Sequence, residues 1–136
     1  MAKCLLVDDN GHYAELLSKY FIDKGFEITW CKNAKEGFEE YSSKEQDHYQ
    51  LILTDITMES QISGLTMLKK MRNAGYPGDL VIASTGFDVP LGKFFTRLFF
   101  KNLNIKFLIS KKSVLKNSFL FYTMDHFSKP SASISL

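Results

Sequence analysis

Leu5-Leu6-Val7-Asp8-Asp9 is a short apolar run stopped by two carboxylates. A run without polar alternation suits a strand buried on both faces, as in a parallel sheet. The pattern returns at Leu51-Ile52-Leu53-Thr54-Asp55. It returns again at residues 80–84, which run into Thr85, and at 105–110, which run into Lys111. Between these runs the apolar spacing changes from continuous to helical.

Ala14, Leu17, Tyr20 and Phe21 predict a helix over 13–24, closed by Gly25 as a C-terminal cap. Phe26 to Cys31 reads as the second strand. Asn33 can cap a helix over 34–43 with Phe38 and Tyr41 inward. The third strand covers 49–54. Leu65, Leu68 and Met71 share one face of a helix over 63–73, which Gly75 and Pro77 terminate. Pro90 precedes a helix over 91–103, and a last helix is expected over 114–127. Residues 1–127 thus form one domain, and the Ser-rich segment 128–136 reads as a flexible tail. Five strand–helix units in succession predict an α/β fold: a doubly wound (βα)5 three-layer sandwich with a parallel sheet in the order 2-1-3-4-5. In that order the ligand crevice lies where the winding reverses, at the carboxyl ends of strands 1 and 3.

Composition narrows the function. The chain has 136 residues, 45% hydrophobic and 24% charged, with a formal net charge of +2. Its basic residues are dispersed, Lys111, Lys112 and Lys116 being the densest group, so direct nucleic-acid binding is not expected. No apolar run approaches the roughly 18 residues of a membrane helix. The start of the chain leads directly into a strand, without the pattern of a signal peptide. Cys4 and Cys31 fall in apolar runs and read as buried thiols, which suits a reducing cytoplasm. No CxxC or His-containing cluster accompanies them.

The polar strand ends carry the chemistry. Asp8 and Asp9 end strand 1, Asp55 strand 3, Thr85 strand 4 and Lys111 strand 5, so all five converge on one sheet edge. Three carboxylates this close repel one another unless a cation joins them. Hard oxygen ligands with room for water suit Mg²⁺. A carboxylate beside that ion can attack phosphorus, with the ion and an ammonium neutralising the transferring group. Lys111 is the only strand-end cation, and the Thr85 hydroxyl can donate to a phosphoryl oxygen. Simpler roles exist for each residue. Asp8 and Asp9 could cap a helix, Asp55 could serve a turn, Thr85 could be a plain strand residue, and Lys112 could replace Lys111.

The segments CLLVDDN (4–10), LILTDITM (51–58), VIASTG (81–86) and FLISK (107–111) resemble the signatures of the receiver domain of two-component response regulators. The resemblance spans residues 3–127. It implies a flavodoxin-like fold and phosphoryl transfer to aspartate from a histidine kinase or phosphotransfer protein. It makes Asp55 the acceptor. Asp9 becomes a direct Mg²⁺ ligand, Asp8 a ligand mainly through water, and the Thr57 backbone carbonyl a further ligand. Thr85 and Lys111 would contact the phosphoryl group. Such a domain is a switch for partner binding rather than an enzyme acting on external substrates. A pseudo-receiver, working as a phosphorylation-independent interaction or dimerisation module, is the competing reading.

Several positions depart from the family pattern. Thr57 occupies the place that looks onto attacking water. Glu59 stands where proline is frequent, in a slightly longer loop. Lys112 replaces the proline that commonly follows the lysine, where a cis bond would cost about 2.5–4 kcal/mol, so a trans bond is expected. Leu108 stands where the family has its aromatic switch residue, and Phe107 beside it should face the other way. Phe94, Phe95, Leu98, Phe99 and Phe100 exceed one helix face. With strand 5 they form a candidate surface for an effector or a second copy.

Overall fold

In the computed structural model, residues 1–55, 63–84, 103, 105–115 and 121–122 are described. Strand β1 (Ala2–Val7) pairs in parallel with both β2 (Phe26–Cys31) and β3 (Leu51–Asp55). Strand β3 pairs with β4 (Asp79–Ser84), and β4 with β5 (Ile105–Ser110), again in parallel. The order 2-1-3-4-5 is as expected. Val7 lies level with Thr54, Thr54 with Ile82, and Ile82 with Leu108. Asp8 and Asp55 therefore leave their strands at the same height on neighbouring strands.

Continuous apolar strands supply two cores because successive side chains alternate faces. Leu5, Val7, Ile52, Leu80, Ile82 and Leu108 face helices α2 (Ala34–Ser42) and α3 (Ser63–Asn73). Cys4, Leu6, Leu51, Leu53, Val81, Phe107 and Ile109 face helix α1 (Gly11–Asp23) and the short helix α4 (Lys111–Leu115). Leu108 and Phe107 thus lie on opposite faces, as the strand period requires. Cys4 and Cys31 are buried free thiols, and burial pushes Cys31 up to about 11 and Cys4 higher still. Both stay protonated at neutral pH.

Local signals account for most boundaries. Asn10 caps α1, its side chain accepting from the backbone N–H groups of His12 and Tyr13, so the helix starts at Gly11, ahead of the expected Tyr13. Gly25 follows with φ of 95°, the left-handed conformation expected of a glycine after a helix. Asn33 caps α2 through the Glu36 N–H at 2.8 Å.

The C-terminal region differs from expectation. The helix read over 114–127 is not continuous: α4 covers Lys111–Leu115, and Phe121–Tyr122 forms a sixth strand, β6, antiparallel to β5. Aromatic residues favour strands, and the backbone of Leu108 and Ile109 offers an edge to pair with. The sheet is therefore six-stranded, and part of the β5 edge expected to meet a partner is already paired within the chain. The helix over 91–103, its Phe94–Phe100 cluster and the tail 128–136 lie outside the described residues, apart from the buried Leu103. Among the described residues no helix is long and apolar enough to cross a membrane.

Helix α2 sits so close to β1 that a Cβ on Gly37 would come within 2.7 Å of a Val7 methyl and 3.0 Å of the Met67 sulfur. Val7 is fully buried and β-branched, so it cannot turn away. Gly37→Ala should therefore destabilise by about 1–2 kcal/mol in urea unfolding, although alanine alone favours a helix by about 1 kcal/mol. An unchanged or raised midpoint would show that the helix can back away.

Candidate functional site

The matched ends of β1 and β3 bring three carboxylates together. Ligand oxygens of Asp8, Asp9 and Asp55 all lie within 4.8 Å of one another, Asp8 and Asp55 buried and Asp9 exposed. Lys111, at the start of α4, reaches back over the sheet edge. Its Nζ donates to Asp55 Oδ2 at 2.9 Å. It also lies 2.8 Å from Asp8 Oδ2, so one buried ammonium faces both buried carboxylates. Asp8 Oδ1 accepts from the Asn10 N–H at 2.9 Å.

Electrostatics follow from burial. Asp8 has a raised pKa, chiefly because burial penalises its charge; the Asp55 charge adds to this, while Lys111 and the Asn10 N–H oppose it. Burial alone would lower the Lys111 pKa, but contacts with Asp55 and Asp8 outweigh that and raise it. The ammonium is thus held charged among groups of opposite sign.

The structure bears on three of the simpler roles left open by the sequence, those of Asp8 with Asp9, of Asp55 and of Lys111. The cap of α1 is Asn10, so neither Asp8 nor Asp9 is spent as a helix cap. Asp55 is the buried last residue of β3 rather than an exposed turn residue. Lys111 is the first residue of α4 and supplies the buried ammonium. No cis peptide occurs among the described residues, in agreement with the trans bond expected at Lys111-Lys112. Thr57, Glu59 and Thr85 lie outside the described residues.

Three neighbours of the site were not picked out from sequence. Asn10 orders the turn after β1. Trp30, the sole tryptophan, donates its indole N–H to the Asp8 carbonyl at 2.9 Å while 43% exposed. Tyr13 lies with its ring centroid 4.4 Å from Lys111 Nζ. From sequence, Tyr13 stands only as the first residue of the expected helix. Nothing local in the sequence links Trp30 to Asp8, a contact made across the β1–β2 register.

The sequence model of the response regulator receiver domain matches residues 4–93. The chain belongs to the response regulator receiver family. A transcriptional regulatory protein, the CpxR homolog of Haemophilus influenzae, is 30% identical over 89 residues, which are 65% of this chain and 37% of that protein. The chain thus matches well under half the length of that curated relative. The receiver domain of a Francisella response regulator superposes with a TM-score of 0.66 at 19% identity, over 94% of each chain. The chemotaxis protein CheY4 of Vibrio cholerae gives 0.67 at 19% identity, over 86% of this chain and 95% of that one. The response regulator TrrA of Thermotoga maritima, solved with Mg²⁺ and BeF, gives 0.56 at 26% identity, over 69% of this chain and 80% of that one.

A divalent cation fits this receiver's donor set. It would meet one carboxylate oxygen from each of three aspartates, gathered within 4.8 Å of one another.

In the metal-free protein the raised Asp8 pKa sets the sign of a stability effect. The native state binds the Asp8 proton more tightly than the unfolded chain, whose value is near 3.8. The Asp8 contribution is therefore fully present below that value and is lost as pH rises through the raised one. Asp8→Asn should flatten this slope in urea unfolding with chelator and add on the order of 1 kcal/mol at neutral pH. A destabilised Asp8→Asn protein would mean that the Lys111 attraction outweighs burial.

Proposed function

We propose that this receiver domain accepts a phosphoryl group on Asp55 from a histidine kinase or phosphotransfer protein and acts as a switch for partner binding. The observation that carries the reading is Lys111 Nζ held between Asp55 and Asp8, with Asp9 completing the acidic group at the sheet's switch point. Asp8, Asp9, Asp55 and the Thr57 carbonyl would hold Mg²⁺. The ion, when bound, supplies positive charge that offsets the carboxylates and the phosphoryl oxygens. TrrA was solved with the same metal and a BeF group, which supports this choice of cation.

In the proposed reaction, the bond from phosphorus to the donor's leaving atom breaks as one forms to an Asp55 carboxylate oxygen, giving an acyl phosphate. Lys111 and Thr85 would stabilise the charge on the transferred group. Water later cleaves the anhydride, returning the Asp55 carboxylate and inorganic phosphate. The domain thus promotes its own phosphorylation and dephosphorylation and is not an enzyme for other substrates. We place it in the cytoplasm, where kinase domains and their phosphodonors meet. The Phe94–Phe100 segment and the β5 region remain the proposed surface for an effector or second copy.

Incubation with acetyl phosphate and Mg²⁺ should add one phosphoryl group by intact mass, lost in Asp55→Asn and with chelator. Lys111→Gln should slow uptake by about 10²-fold. Uptake by neither acetyl phosphate nor a phosphohistidine donor protein, with the domain folded, would overturn the switch and leave the pseudo-receiver.

A further inference from the structure

Lys111 meets its two carboxylates from one side and a ring from another. Its Nζ lies 4.4 Å from the Tyr13 ring centroid, 2.9 Å from Asp55 Oδ2 and 2.8 Å from Asp8 Oδ2. The lysine is almost wholly buried, so water does not compete strongly for its charge. A cation over an aromatic face gains more when desolvated than at an exposed surface.

Tyr13 is fixed where it stands. Asn10 caps α1 and accepts from the Tyr13 N–H at 3.2 Å, and the Asn10 N–H in turn holds Asp8 Oδ1. The half-buried Tyr13 side chain packs against the core shared by α1 and α4. One short turn therefore sets both a carboxylate and the ring that face the same ammonium. At the other end of the contact, Lys112 follows Lys111 where the family pattern commonly has proline, and α4 begins at once.

We propose that Tyr13 is a positioning residue for phosphoryl transfer, its ring face holding the Lys111 ammonium ready to turn from the Asp55 carboxylate to an incoming phosphoryl oxygen. This rests on the reading of Asp55 as the acceptor. A lysine side chain has many rotamers, and a site that has restricted them in advance loses less entropy at the moment of reaction. A ring face suits the task because it has no directional acceptor. The ammonium can pivot across it and exchange one oxygen partner for another while keeping its third contact. The Tyr13 hydroxyl has no part in this, so phenylalanine should serve as well.

The test compares wild type with Tyr13→Phe and Tyr13→Leu. Leucine keeps an apolar side chain and removes the π face. Nuclear magnetic resonance of the Lys111 side chain reads the contact directly: a ring-current shift is expected in wild type and Tyr13→Phe and absent in Tyr13→Leu. Phosphoryl uptake from acetyl phosphate reads the consequence. Tyr13→Leu should slow it roughly 3- to 30-fold, with Tyr13→Phe restoring the wild-type rate. Mg²⁺ affinity by calorimetry should be the same in all three, since Tyr13 meets the ammonium and not the carboxylates. Equal uptake by wild type and Tyr13→Leu overturns the inference alone, as does a Tyr13→Phe rate as low as that of leucine. A wild type that shows the ring-current shift but takes up no phosphate overturns the acceptor reading, and the role in transfer with it.

Discussion

Two carboxylates buried side by side at the end of a parallel sheet impose the constraint on which the rest of the site depends. Asp8 is fully buried and Asp55 nearly so, and two buried charges of one sign need a counter-charge. Lys111 supplies it from the far side of the sheet, in contact with both. Its long stem lets it serve strands it does not pair with. The parallel register does the rest, since it brings Asp8 and Asp55 to one height beneath the ammonium. A one-residue slip of β3 would turn Asp55 to the other face and break the group.

Much of the surrounding structure keeps this turn in place. The Asp8 N–H continues the β1–β2 ladder by donating to the Cys31 carbonyl at 3.1 Å, and the Asp8 carbonyl accepts from Trp30. With Asn10 on Oδ1, the main chain and one side-chain oxygen of Asp8 are satisfied, and Oδ2 faces the Lys111 ammonium at 2.8 Å. That ion pair offsets part of the cost of burying the carboxylate, so the turn after β1 and the site depend on the same contact.

The sheet order, two-faced core and convergence of Asp8, Asp55 and Lys111 were legible in the sequence because continuous apolar runs have few other uses. Three of these runs also ended in a residue whose charge could be read without coordinates, Asp8, Asp55 and Lys111. The contacts of Trp30 with Asp8 and of Tyr13 with Lys111 were not legible. Both join residues distant in sequence, and both involve aromatic side chains that a hydrophobic pattern assigns simply to burial. The last helix was misread for a related reason. The apolar residues between Val114 and Phe127 fit helical spacing well enough, and periodicity cannot show that the backbone of Phe121 and Tyr122 has a sheet edge beside it.

That edge bears on how a signal could leave the site. In the family pattern an aromatic side chain on strand 5 changes orientation with the phosphorylation state. Here the position is Leu108, fully buried in the core facing α2 and α3, and its backbone is tied to Tyr122. A buried leucine has no polar tip by which to prefer one orientation over another. Under the proposed phosphorylation of Asp55, charge around Lys111 would still be redistributed, because the ammonium would then face a phosphoryl group as well as Asp8. Lys111 begins α4 directly after β5, so any shift of its side chain acts on the element that packs against α1 and adjoins the β5–β6 edge. In the proposed switch, the physical route would therefore run through the placement of Lys111 and the start of α4, rather than through a rotating aromatic on β5.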